Sequence, residues 1–363
     1  MKLSTCASLT PLCLALLASG EAFALSACDW ESGVSGELVH NLNLSPTWVG
    51  RDAPIGTVIG QADVRYNLPN EAGTRVICTN FGAAGPTLTA RVDNTQPLFT
   101  GPLPPVNGED LTGRVIQTGV DGIGIHVRLD APYHGAGGSP DNAWTYIKWT
   151  SVPWQGYADH DPGPTGIQLS NLRAFITLIK TGPIAPGPQS FNGVQLFSGT
   201  YSDVGTVMRY HLHGTVTAAQ CTLKADAINP NPVELGTHEV KDFGTPGDVT
   251  KAIPFQIRLN DCESDASGGT LAYVRLDGAN GSTPIDVDKG VFSLSSGSGA
   301  TGIGIQVLQA DGITPFRLEE DVAVKPLSPG DIALDFQARY YQTAPIVTPG
   351  EANGALNFTI TYR

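Results

Sequence analysis

No part of this sequence keeps a helical hydrophobic period for long. Its 43 glycines and 27 prolines are spread throughout and break it into short runs. Many of those runs alternate apolar and polar residues, the period of a strand with one buried face. Examples are residues 122–129, 174–180 and 332–340, and the pattern is strict at the very end, where Leu356, Phe358, Ile360 and Tyr362 share one face. Frequent turn signals between short strands predict an all-β chain of sandwiches with little helix. At 363 residues there is enough chain for two such units, each with its own core.

The first 24 residues read as a signal peptide: Lys2, an apolar stretch near 11–18, then the small-x-small site Ala22-Phe23-Ala24. Its removal leaves Cys28, Cys78, Cys221 and Cys262 in an oxidising compartment. Three pairings are open, and the long gap between Cys78 and Cys221 favours two local bridges, Cys28 with Cys78 and Cys221 with Cys262. Loops of this size stabilise a fold by about 3 to 4 kcal/mol each in the chain-entropy picture, a sufficient structural reason for all four sulfurs. The net charge of −13, with neither half basic, argues against a nucleic-acid or anionic-membrane surface, which needs clustered Lys and Arg.

A weak internal repeat points to related halves. Gly119-Val-Asp-Gly-Ile-Gly-Ile-His-Val-Arg128 returns 180 residues later as Gly299-Ala-Thr-Gly-Ile-Gly-Ile-Gln-Val-Leu308. The second copy overlaps a GxGxxG string without β-α-β context, so its glycines read as turn residues. The boundary is expected near Gly214, with one strand ending at His213, another starting at Thr215, and a very short connection allowing some hinge motion. The expected division is 1–24 signal, 25–213 N-terminal domain and 214–363 C-terminal domain.

Residues 214–363 resemble the pilin domain of chaperone-usher fimbriae. The likeness rests on Cys221, on Cys262 after Ile257-Arg-Leu-Asn-Asp, on Gly302-Ile-Gly-Ile305, on residues 334–340, and on Gly350 with the penultimate Tyr362. It implies an immunoglobulin-like sandwich lacking its last strand. The open groove would be filled by strand addition, first from a periplasmic chaperone and then from the neighbouring subunit after handover at an outer-membrane usher. Leu356, Phe358, Ile360, Tyr362 and Arg363 are the docking residues this implies. Only Leu25, Ser26 and Ala27 precede Cys28, so the chain has no donor arm of its own, and the preceding domain matches the layout of a two-domain tip adhesin, exported through the periplasm to the fimbrial tip at the cell surface. The expected fold is thus two immunoglobulin-like sandwiches in tandem. The expected function is cell adhesion through a glycan or matrix-protein receptor, with a ligand-free minor pilin or assembly initiator as the alternative. Of the sugar-holding pattern of the mannose-binding member, only Asn80 matches.

All five tryptophans, Trp30, Trp48, Trp144, Trp149 and Trp154, precede Gly214. Flat aromatics beside carboxylates and amides suit a saccharide, so Tyr133, Asp141, Asn142, Trp144, Trp154, Tyr157 and Asp159 are the candidate ligand residues. The competing reading is that the aromatics form core. Asp159-His160-Asp161 and the pair His211 and His213 each lack the partners of a metal site, and no cofactor is expected. No HExxH, GxSxG or P-loop is present, so no enzyme is expected. A paired-carboxylate glycosidase would leave no motif.

Overall fold

The computed structural model describes residues 27–31, 36–69, 73–79, 87–133, 144–158 and 167–363. The expected signal peptide and candidate residues Asp141, Asn142 and Asp159 lie outside them, as do Asn80, His160 and Asp161. Among the described residues the fold is all-β, with a single short 3-10 turn at Val240–Asp242.

In the first half, Asn171–Lys180 is the centre of one sheet. It pairs with Val58–Pro69 on one side and Ile123–Leu129 on the other, with Val115–Gln117 beyond. Its even-numbered residues from Leu172 to Leu178 are buried, as the alternation predicts. The facing layer centres on Pro188–Tyr201, between Leu88–Asn94 and Gly205–Thr222, and continues through Trp154–Ala158 to Thr145–Tyr146. In the second half, Gly330–Gln342 lies between Ile253–Glu263 and Ile303–Gln309. Opposite it stand three strands in the order Val322–Pro326, Leu271–Ala279, Ala355–Tyr362.

Both expected disulfides form. Cys28 and Cys78 face each other on paired strands, and Cys221 joins Cys262 between Gly205–Thr222 and Ile253–Glu263.

The expected strand break at Gly214 does not occur. A single strand runs from Gly205 to Thr222, belongs to the first core through Ala218, and enters the second at Ala219. What changes at Gly214 is its neighbour. Leu38–Asn43 pairs in parallel with Met208–His213, and Thr47–Gly50 then pairs in parallel with Val216–Ala219. The chain bends between them at Leu44, whose carbonyl oxygen would lie 2.8 Å from a β-carbon on Gly214. The glycine therefore admits a crossing backbone and does not end a strand. Through the second of these pairings, Trp48 packs against the second core.

Candidate functional site

Among the described residues the terminal strand Ala355–Tyr362 pairs with one strand only, Leu271–Ala279, and so is an edge of its sheet. Leu271 and Arg363 exchange both backbone hydrogen bonds, at 2.7 and 3.0 Å, which fixes the phase of the antiparallel ladder. Closely and widely spaced pairs alternate, so Thr361, Thr359 and Asn357 turn their N–H and C=O groups toward Leu271–Ala279. Those of Leu356, Phe358, Ile360 and Tyr362 face outward. The first three side chains are half-buried and pack on the second core, whereas Tyr362 is buried.

Beside this edge lies a groove of about 540 Å³. Its floor includes Ile257, Leu276, Phe292, Ile305 and Val307, and its far wall is the segment Asn231–Gly236, which follows the short strand Ile228–Asn229. Leu356 and Phe358 form the near wall. An apolar floor beside outward-facing main-chain donors and acceptors is the geometry into which a further strand fits: its backbone completes the ladder while alternate side chains enter the groove. A single extended peptide satisfies both demands at once, since an unpaired edge and exposed apolar area each cost free energy in water.

The end of the edge is already filled. Asp52, from the first half, donates its N–H to the Tyr362 carbonyl oxygen at 2.9 Å, and its Oδ2 accepts from the Tyr362 N–H at 3.0 Å. The Tyr362 hydroxyl points inward to the Cys221 carbonyl at 3.5 Å, and burial raises its pKa. Arg363 pairs with Asp321 and lies over the ring of Tyr273. Of the five docking residues expected from the sequence, Leu356, Phe358 and Ile360 therefore present a free edge. Tyr362 and Arg363 do not.

The expected aromatic platform is core instead. Tyr133, Trp144 and Trp154 are buried, at 1%, 0% and 0% exposure. Trp154 meets Tyr133 edge-on at 5.2 Å and donates its indole N–H to the Tyr133 carbonyl at 3.0 Å. Tyr133 and Tyr201 share a hydroxyl hydrogen bond, and burial pushes the Tyr133 phenol up to about 12. Trp154 heads the strand Trp154–Ala158, whose even-numbered members face inward, and Tyr157 on the other face is half-buried. These large rings carry much apolar area, and burial takes them inside whether they lie on a strand, as Trp154 does, or between strands, as Tyr133 and Trp144 do. Tyr146, Ile147 and Lys148 are exposed nearby, and Lys148 lies 4.0 Å from the centre of the half-buried Trp149 ring. His213 is held by Asn41 at 3.1 Å. Among the described residues no group of three or more His, Cys, Asp or Glu side chains is placed to hold a metal ion.

The groove wall at Asn231–Gly236 and the contribution of Asp52 had no sequence signal, because both depend on segments brought together from far along the chain. Phe292 and Ile305 were visible only as apolar members of short strands.

A family model for fimbrial protein matches residues 210–363. Fimbrial subunit type 1 of Salmonella typhimurium is 32% identical over 156 residues, 42% of this chain and 80% of that protein. The A chain of type-1 fimbrial protein from Escherichia coli (strain K12) is 31% identical over 176 residues, 46% of this chain and 88% of that protein. Among solved structures, the CupB6 tip adhesin of Pseudomonas aeruginosa is 14% identical, with 93% of this chain and 94% of that one covered, at a TM-score of 0.32.

Proposed function

We propose, from the premise that this chain belongs to the fimbrial protein family, that it is a two-domain tip adhesin: 214–363 docks to the fibre and 25–213 binds a glycan or protein on another surface. The observation that carries the docking half is the free edge of Leu356, Phe358 and Ile360 beside the apolar groove. In this reading a periplasmic chaperone lends the first strand, and the next subunit replaces it after delivery to the usher. The family model matches residues 210–363, which leaves the first half, with its own disulfide and its own core, as the part available for a further task.

Phe358→Asp and Ile360→Asp would each place a charge against the core once a strand closes over it. Co-expression of each variant with the periplasmic chaperone should yield no complex. Normal co-purification would overturn the docking reading. The adhesive reading is tested on fimbriae carrying the full chain, by glycan and matrix-protein arrays and by attachment to surfaces, compared with fimbriae whose chain lacks 25–213. Binding that disappears with the deletion is the expected result.

Burial of Tyr133, Trp144 and Trp154 favours a second reading, a ligand-free subunit that initiates assembly. Unchanged attachment by the deletion, with fewer fibres per cell, would establish it.

A further inference from the structure

The alternation of apolar residues along an edge strand settles only part of a docking register. A slip of one residue turns every incoming side chain to the wrong face, but a slip of two restores the faces and satisfies the ladder again. Something other than pattern must exclude the two-residue slip. The first half of the chain supplies a candidate at the place where it touches the edge.

Asp52 makes to Tyr362 the two hydrogen bonds that a neighbouring strand would make, one through its backbone N–H and one through its carboxylate. It does so from a fixed position. The Ala53 N–H bonds the Gly50 carbonyl at 3.0 Å, closing a turn over Gly50–Ala53, and the Arg51 N–H bonds the Ala219 carbonyl at 3.0 Å, which continues the ladder of Thr47–Gly50 along the crossing strand. Lys180, buried at the end of the central strand of the first half, donates its ammonium to the carbonyls of Gly50, at 3.2 Å, and Arg51. The Arg51 guanidinium grips both oxygens of Asp52, at 3.1 and 3.0 Å, and lies 5.0 Å above the Tyr362 ring. A β-carbon on Gly50 would fall 2.4 Å from the Tyr362 carbonyl oxygen, so the turn seats only with glycine there.

We propose that Asp52 is a register stop for the incoming strand. It occupies the last outward pair of the edge, so a docking strand can advance as far as Ile360 and no further, and the two-residue slip toward the end of the chain is blocked. Asp52 is a positioning residue. The proposal rests on the docking reading above and adds to it that the first half of the chain determines how the second half is filled.

The test uses a peptide with no preferred register: alternating valine and threonine over about nine residues, with one nitroxide label. A second label is carried by the exported full chain at exposed Ile346, changed to cysteine (Ile346→Cys). Electron-spin distance measurements on the wild-type turn should show no population displaced toward Tyr362. In Asp52→Ala, which removes the carboxylate, and in Asp52→Pro, which also removes the N–H donor, a second population should appear, displaced along the edge by about 7 Å, two residues of strand rise. The Tyr362 amide should also exchange with solvent at least about tenfold faster in Asp52→Ala than in wild type when no peptide is present. Identical distance distributions in wild type and both variants would overturn the stop while leaving docking intact. Failure of the peptide to bind the wild-type chain at any concentration would remove the docking reading itself.

Discussion

Ile123–Leu129 and Ile303–Gln309 are one strand built twice, 180 residues apart, and the comparison reaches their surroundings. Each is entered through a glycine of positive φ, Gly122 at 77° and Gly302 at 79°. At each, a β-carbon would strike a carbonyl oxygen, that of Pro183 at 2.2 Å and that of Ile346 at 2.1 Å. Each strand pairs with the central strand of its sheet so that its first residue faces a buried polar side chain, Lys180 opposite Ile123 and Gln342 opposite Ile303. Each carries one buried polar residue at the same place, His126 or Gln306. The differences lie in what these positions are used for. Gln342 serves its own turn, donating to the Ala344 carbonyl, whereas Lys180 reaches out to hold the Gly50–Ala53 turn. Gln306 is neutral and bonded at both ends of its amide, donating to the Lys289 carbonyl and accepting from Arg339, both at 2.8 Å, whereas His126 can be charged. A shared frame thus carries a junction clamp in one half and lines the groove beside Leu356 and Phe358 in the other.

The largest expected effect separates the halves by their cores. Trp154→Ala should cost the first half about 3 to 5 kcal/mol, the usual range for emptying a fully buried large aromatic. Phe358→Ala, on a half-buried edge, should cost the free chain less and show its full effect only with a strand docked. Calorimetry with and without the Val/Thr peptide checks both, and equal costs in the free chain would break the contrast.

The next effect is a pH dependence confined to the first half. Burial, the largest cause, lowers the His126 imidazole to about 4, while its Nε2 is bonded to Ser151 Oγ at 2.7 Å. An unfolded histidine titrates near 6.5. Between those two values the unfolded state binds more protons, so this contribution is fully present above pH 6.5 and is lost as pH falls toward 4, by roughly 2 to 3 kcal/mol. His126→Gln installs the residue of the other half and should flatten that slope. Denaturant unfolding of both proteins from pH 7 to 4.5 is the measurement, and parallel curves would show that burial of His126 does not govern it.

The smallest effect should be shared. Gly122→Ala and Gly302→Ala force a side chain into the left-handed region and against a carbonyl, at a cost of about 1 to 3 kcal/mol each. Similar costs would sharpen the equivalence of the two frames; a cost at one site alone would break it.

The repeat, the terminal strand and both disulfides were legible because each is written in local alternation or cysteine spacing. Three misreadings share a physical cause. Trp144 and Trp154 stand near glycine and proline and so read as exposed loop residues, but Trp154 falls in the inward phase of Trp154–Ala158, and Trp144, although it lies between strands, is fully buried. Gly214 read as a break because glycine weakens a strand, but here it lets Leu44 pass close by. Tyr362 read as part of the free edge because nothing local shows that Asp52, 310 residues earlier in the chain, arrives to cap it. Alternation specifies faces and leaves partners to the tertiary fold.

The strand Gly205–Thr222 has a mechanical consequence. A load that pulls the two halves apart acts along one unbroken backbone, flanked by parallel strands on the way through and tied by the Cys221–Cys262 bridge just before it leaves the second core. Hydrogen bonds lying across the direction of pull share such a load together and do not open one after another. Traction on the first half is therefore passed straight along this strand to the sheet that floors the groove beside Leu356 and Phe358.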